Sequence, residues 1–315
     1  MPNPASTSLQ PRSTSRTVAV LASLTLLLQL TACSRRAIAS DHPPFDANRA
    51  FQLLVQQCDF GPRPVGTPAH LKTRDFLLAE MQKYADKTVA QNFTYKGMPL
   101  TNIIGVFNPK AKRAILLCGH WDTRPTADQE IDPAKRKLPI PGADDGASET
   151  AVLLELAKMF HQKEPPVQVI IVLLDGEDYG NFETNQGVFL GSEYFAQHHQ
   201  GYNPEFGILL DMIGQKHLRI TREVESQLYA PGVNEQLFQL ADRMGYSKYF
   251  INRLGTEVID DHVIISKAGI PCIDVIDFNY GPWHTLEDTP DKCSAKSLGI
   301  VGNVIAEFVY TLSPH

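Results

Sequence analysis

Cysteine is scarce: five occur in 315 residues, and no two stand in a CxxC spacing. That leaves no zinc knuckle and no thiolate cluster to organise the chain. Positive charge is also in short supply, with 29 Lys and Arg against 35 Asp and Glu. Such a deficit argues against a nucleic-acid partner, whose phosphates require a basic face. Neither a repeat of roughly 20–50 residues nor a low-complexity block interrupts the sequence. At 43% hydrophobic and 20% charged, the composition fits a single ordinary core.

No apolar run reaches the length of a comfortable membrane span. The longest, VAVLASLTLLLQL over residues 18–30, follows a basic lead of Arg12 and Arg16 and precedes LTAC at 30–33. This order predicts a secretory signal over 1–32. LTAC resembles a bacterial lipoprotein box, which would leave Cys33 to carry lipid and anchor the protein to a membrane of the cell envelope. An uncleaved anchor helix is the plainer alternative. Removing 1–32 lowers Lys and Arg from 29 to 27 against the same 35 acids, a formal charge of −8. Residues 33–45, polar and marked by proline, read as a tether ahead of a catalytic domain over 46–315. The remaining cysteines, Cys58, Cys118, Cys272 and Cys293, have a compartment that permits disulfides but a spacing that fixes no pairing.

Four short branched runs read as buried strands: AILLC (114–118), VQVIIVLL (167–174), FGILL (206–210) and PCIDVI (271–276). Helical patterns at about 147–160, 190–199, 233–244, 260–268 and 295–312 separate or follow them, and 46–58 and 68–84 look helical as well. KTVAQNFTY and LTNIIGVF form an expected hairpin around KGMP, giving the sheet an antiparallel edge. The fold class is therefore α/β, a mixed but mostly parallel sheet covered by helices on both faces.

Chemistry follows each strand. After 114–118 come His120 and Asp122; after 167–174, Asp175, Glu177 and Asp178; after 206–210, Asp211; after 271–276, a loop ending Trp283-His284. Open α/β sheets bind ligands at this end of their strands. Asp144 and Asp145 occupy the loop before a helix, where an acid is most often an N-cap; one of the pair caps while the other turns to a metal. Glu177 and Asp178 could equally be a solvated turn, and His284 a packed surface histidine. His120 and Asp122, two apart on an extended segment, point to one side and could ligate too. His161, His198, His199, His217 and His315 lack such surroundings and read as surface residues. Imidazole with carboxylates and no thiolate suits Zn²⁺ with an open position, supporting Lewis-acid chemistry beside a proton-shuttling acid.

GHWDTRP (119–125), PGADDGAS (141–148), LLDGEDYG (173–180), FLGSEYF (189–195), LLDMIG (209–214), DDH (260–262) and WHT (283–285) occur in the order found in zinc-dependent exopeptidases and their relatives, the animal-type glutaminyl cyclases. The chain resembles that superfamily from about 46 to 312, and its WHT and DDH look more like the cyclase forms. The resemblance implies conversion of N-terminal glutamine in peptides or proteins to pyroglutamate with loss of ammonia, using one zinc. It implies Asp145, Asp178 and His284 as zinc ligands, Glu177 as proton shuttle, Asp211 and Asp261 as the acidic network beside it, and Trp283 as pocket wall. Asp178 stands where animal cyclases carry glutamate, and Asp274 where the family has histidine. His120 and Asp211 match residues that hold a second metal in dinuclear aminopeptidases, which are the nearest rival; a non-catalytic lipoprotein that binds peptide or metal is the third.

Overall fold

The computed structural model describes residues 41–182, 184, 186–199 and 201–315. The expected signal over 1–32, Cys33 and the tether up to residue 40 lie outside the described residues. Among the described residues no helix is long and apolar enough to cross a membrane.

A six-stranded sheet forms the centre: β1 (Lys87–Tyr95), β2 (Met98–Phe107), β3 (Ala114–His120), β4 (Gln168–Leu174), β5 (Gly207–Asp211) and β8 (Cys272–Ile276), in the order β1-β2-β4-β3-β5-β8. β3, β4, β5 and β8 run parallel, while β2 pairs antiparallel with both β1 and β4. The expected hairpin is present, turning at Lys96-Gly97 so that Tyr95 pairs with Met98. β3 leads to β4 on one side, and the chain then returns past β3 to β5 on the other. That reversal opens a crevice at the carboxyl ends of these strands, where loops from neighbouring strands diverge.

Side-chain alternation along the strands supplies two cores. Ile115, Leu117, Ile171, Leu173, Ile208, Leu210, Ile273 and Val275 face one way, toward α1 (Ala47–Asp59), α2 (Pro68–Gln82), α3 (Ala147–Gln162) and α8 (Ala295–Tyr310). Leu116, Cys118, Ile170, Val172, Leu209 and Cys272 face the other, toward Phe195 of α4 (Leu190–Gln197) and Ile265 of α7 (Asp261–Lys267). α3 and α8 are apolar nearly all round because each is buried on most of its circumference. At the first core's edge the ring of Phe45 lies so close to Gly302 of α8 that a Cβ there would sit 2.2 Å from it, and one on Gly299 would meet Ala47 at 2.8 Å. The two ends of the domain thus pack directly on each other.

Three short elements escape the periodicity reading: β6 (Ile220–Arg222) and β7 (Phe250–Leu254), which form a separate parallel pair, and α5 (Val224–Tyr229). Three to six residues are too few for either period to register. α6 (Pro231–Arg243) begins two residues before the expected start because Pro231 occupies its first turn. The four described cysteines are unpaired.

Glu223 ties these small elements together. Its carboxylate accepts hydrogen bonds from the N–H groups of Glu225 (2.7 Å), Ser226 (2.5 Å) and Val258 (3.0 Å), and lies 3.1 Å from the His262 ring. Burial pushes this carboxyl up, but His262 and the backbone donors outweigh it and hold it at about 2. An acid depressed in this way adds stability above its unfolded pKa, and the contribution disappears as pH falls through the folded value. Stability to urea is expected to drop between about pH 4.5 and 2, and Glu223→Gln to flatten that part of the profile. An unchanged slope in the variant would place the acid sensitivity elsewhere.

Candidate metal centre and its cavity

The strand ends deliver their polar residues to one cavity of about 750 Å³. Asp211 closes β5, Glu177 and Asp178 follow β4, and His284 lies in the loop after β8, all lining the cavity, while His120 at the end of β3 is outside the lining but 3.1 Å from Asp145. Asp145 comes from the loop before α3. One ligand atom from each of Asp145, Asp178 and His284 falls within 4.8 Å of the other two. His284 Nε2 is 3.6 Å from Asp145 Oδ2 and 3.6 Å from Asp178 Oδ1.

Local geometry explains how these groups are held. The N-cap of α3 is Gly146, at φ 104° and with no side-chain capping bond. A Cβ there would meet the Asp122 carbonyl at 2.4 Å, so only glycine lets this loop approach β3 closely enough to present Asp145. The expectation that one of the two acids caps α3 is therefore corrected. Asp144 instead accepts from the Gly214 N–H at 2.5 Å, fastening the loop to the segment after β5. Asp288 accepts from the N–H groups of Asp144 (2.8 Å) and Asp145 (3.3 Å) and from the Tyr280 hydroxyl (2.8 Å). The fully buried Arg63 donates to the carbonyls of Trp121 (3.1 Å), Pro141 (3.2 Å) and Gly142 (2.7 Å), joining the β3 loop to the Asp145 loop.

Asp122 is not among the grouped ligand atoms. Its two oxygens accept the N–H groups of Glu177 (3.1 Å) and Asp178 (3.2 Å), so it sets the backbone of that pair. Glu177 and Asp178 are buried rather than solvated, and so is His284, whose backbone sits at φ 54°. The other ring nitrogen of His284, Nδ1, lies 3.0 Å from Asp128 Oδ1. Such a partner fixes the tautomer and aims Nε2 at the acids. Arg124 bridges the same groups, 2.9 Å from Asp128 and 3.3 Å from Asp178. Burial pushes the Asp178 carboxyl up, but His284 and Arg124 outweigh it and hold it at about 2. Burial, then the charge of Asp178, pushes Asp145 up to about 7. Asp128→Asn is expected to weaken metal affinity about 10–100-fold with little change in melting temperature. Competition against a metallochromic chelator measures it, and an unchanged affinity would mean that His284 needs no orienting partner.

The acidic network differs from the expectation at one position. Asp261 turns its carboxylate to the Ser192 hydroxyl of α4 and does not line the cavity; Asp260 does. Asp260, in extended backbone at φ −145°, is the N-cap of α7, whereas Asp261 is already in the helix. Asp211 lines the cavity as expected, and Trp283 lines it while stacking on His284 at 4.0 Å. Asp274 lies mid-way along β8, buried, its N–H donating to Ser226 Oγ at 2.8 Å. His161, His198, His217 and His315 are exposed and His199 half-buried.

Two carboxylates and an imidazole, meeting without thiolate or lysine, fit zinc with an open position. A buried oxygen of Asp178, Oδ2, has no hydrogen-bond partner among the described residues, which suits it to a cation. A second grouping joins His120 to Asp211 and to Glu149, a buried α3 residue that the sequence did not single out, and a third joins His120 to Glu177 and Asp178. His120 Nε2 lies 3.1 Å from Asp145, 3.3 Å from Glu149 and 3.4 Å from Asp211.

Residues 102–309 match peptidase family M28. The glutaminyl-peptide cyclotransferase of Bos taurus is 23% identical over 285 residues, 78% of this chain and 76% of its own length. The glutaminyl cyclase of Bacteroides thetaiotaomicron bound to N-acetylhistamine superposes with a TM-score of 0.82 at 36% identity, covering 87% of this chain and 100% of that one. A structure from the same organism, described as a leucine aminopeptidase precursor, superposes equally well, with a TM-score of 0.82, 36% identity and coverage of 87% and 99%.

Proposed function

The chain belongs to peptidase family M28, and from that premise we propose that it is a zinc-dependent glutaminyl-peptide cyclotransferase, closing N-terminal glutamine of peptides or proteins to pyroglutamate. The observation that carries this reading is the placement of Glu177 in the cavity beside the Asp145, Asp178 and His284 group, without being one of those three. The match to the glutaminyl-peptide cyclotransferase of Bos taurus over 76% of its length supports it over the hydrolytic alternative.

Asp145, Asp178 and His284 would hold the ion, which when bound polarises the side-chain carbonyl of the glutamine. The substrate's own α-amine attacks the δ-carbon, forming the ring C–N bond while the bond to the amide nitrogen breaks. Glu177 takes the proton that the amine loses and returns it to the departing nitrogen, so ammonia leaves and no water is consumed. Burial, followed by the Asp178 charge, raises the Glu177 carboxyl well above its ordinary value, which suits a group that must both accept and give. Asp260 and Asp211 line the cavity next to it, and the charge of Asp260 adds to the upward push on the Glu177 carboxyl. Trp283 packs the aliphatic stem of the glutamine. Holding the amine near the δ-carbon removes translational freedom, an effect worth about 7–11 kcal/mol in favourable intramolecular cases.

One ion per chain is expected, since a proton on His120 would satisfy the acids of the second grouping. Metal analysis of the purified protein, run alongside a Gln-initiated and a Leu-initiated peptide, tests both points. One zinc and ammonia release without chain shortening are expected. Two ions and free amino acid would make the protein an aminopeptidase. The N-terminal sequence supports export and a lipid on Cys33 as the membrane tether; Cys33→Ser should then move the protein from the membrane fraction to the soluble fraction, and an unmoved variant would remove the lipid from the reading.

A further inference from the structure

A second cavity of about 520 Å³ adjoins the first and shares Val258, Ile276 and Phe278 with it. The two are built from the same loops: Ile276 ends β8 and runs into Phe278, and Val258 lies between β7 and the Asp260 cap of α7. Large apolar side chains stay exposed along this line, Ile259 at 48% and Phe278 at 37% beside the first cavity and Leu254 at 53% beside the second. Exposed apolar side chains grouped around adjoining cavities mark a surface suited to meeting a partner.

The charge of the two cavities differs. The first is lined by Asp145, Glu177, Asp178, Asp211, Glu257 and Asp260, with Arg124 committed to Asp178 and Asp128. The second presents Arg219 and Arg253; neither guanidinium makes a hydrogen bond or ion pair among the described residues, although the charge of Arg219 acts on the Asp277 carboxyl. Its two carboxylates are engaged within the fold. Glu223 accepts from Glu225, Ser226 and Val258, and Asp277 accepts from the N–H groups of Arg219 (2.5 Å) and Asn279 (3.3 Å).

We propose that the second cavity seats the stretch of peptide substrate that follows its N-terminal glutamine, and that Arg219 and Arg253 select an acidic side chain there. The acids of the first cavity repel an anionic residue next to the glutamine, so the preference is confined to positions that reach beyond them. Each further residue of an extended peptide advances about 3.3–3.6 Å, and the selected position therefore lies a few residues downstream. This inference rests on the cyclase reading and deepens it by naming the substrate class.

The test uses pentapeptides beginning with Gln and carrying Glu or Lys at each of positions two to five, followed by ammonia release. Glu is expected to lower KM about fivefold relative to Lys at one or two adjacent positions, the size of a partly exposed ion pair, with kcat unchanged. The difference should shrink toward about 1 M salt. The double variant Arg219→Glu/Arg253→Glu, its fold checked by thermal melting, should reverse the order. Equal KM for Glu and Lys at every position, or a preference that survives in the double variant, overturns the inference. Absence of ammonia from every Gln peptide would instead count against the cyclase reading, and the same peptides assayed for binding by fluorescence polarisation would still decide the charge selection.

Discussion

Glu177→Gln is expected to leave the metal in place and to lower turnover of a Gln-initiated peptide by about 10²–10⁴-fold, the usual range for a lost general acid–base. The substitution preserves the length and shape of the side chain while removing its ability to carry a proton. The Asp122 clamp acts on the backbone N–H of Glu177, at 3.1 Å, and survives the change. The Asp145, Asp178 and His284 group contains no atom of Glu177, so metal content should match the parent. His284→Ala provides the contrast, because it deletes a ligand and should lose metal and activity together. Zinc measured in both purified variants beside their rates separates a proton carrier from a metal ligand. A Glu177→Gln protein working near the parent rate would transfer the shuttle to another acid in the cavity, with Asp260 next in line.

Arg63→Met should destabilise the domain by about 3–5 kcal/mol, the scale for removing one partner of a buried charged network. The side chain is fully buried and serves three carbonyls in two loops. Methionine fills much of the volume but leaves those acceptors dry, at about 1–3 kcal/mol each before relaxation. Because Trp121 and Gly142 flank the His120 and Asp145 segments, metal affinity should fall as well. Arg63→Lys should recover only a fraction, since an ammonium cannot span three acceptors set out for a planar fork. Urea unfolding reads the stability; a loss under about 1 kcal/mol would mean that water replaces the guanidinium without penalty.

Much of this site was legible in the sequence because strands announce themselves by short branched runs, and the polar residue after such a run has little choice about where it goes. His120, Asp178 and Asp211 were placed in this way, and the motif order pointed to the family that residues 102–309 match. Neighbouring acids were harder. Which of Asp260 and Asp261 meets the cavity depends on the single residue at which extended backbone gives way to α7, and a boundary of that precision leaves no periodic trace. The resemblance singled out Asp145 over Asp144, but no pattern showed that a glycine takes the capping position that an acid usually fills. Asp128, Arg63 and Asp288 were out of reach for another reason: each matters through a partner far away in the chain, 156 residues for Asp128 and His284, and pattern within a window carries no such information.

The seating of Phe45 against Gly302 sets the order in which the protein can be made. The first helix of the domain meets the last, so the larger core is open until α8 docks. Contacts of such long sequence separation are slow to form. A truncation within α8 should therefore yield protease-sensitive chains rather than a smaller, weaker enzyme.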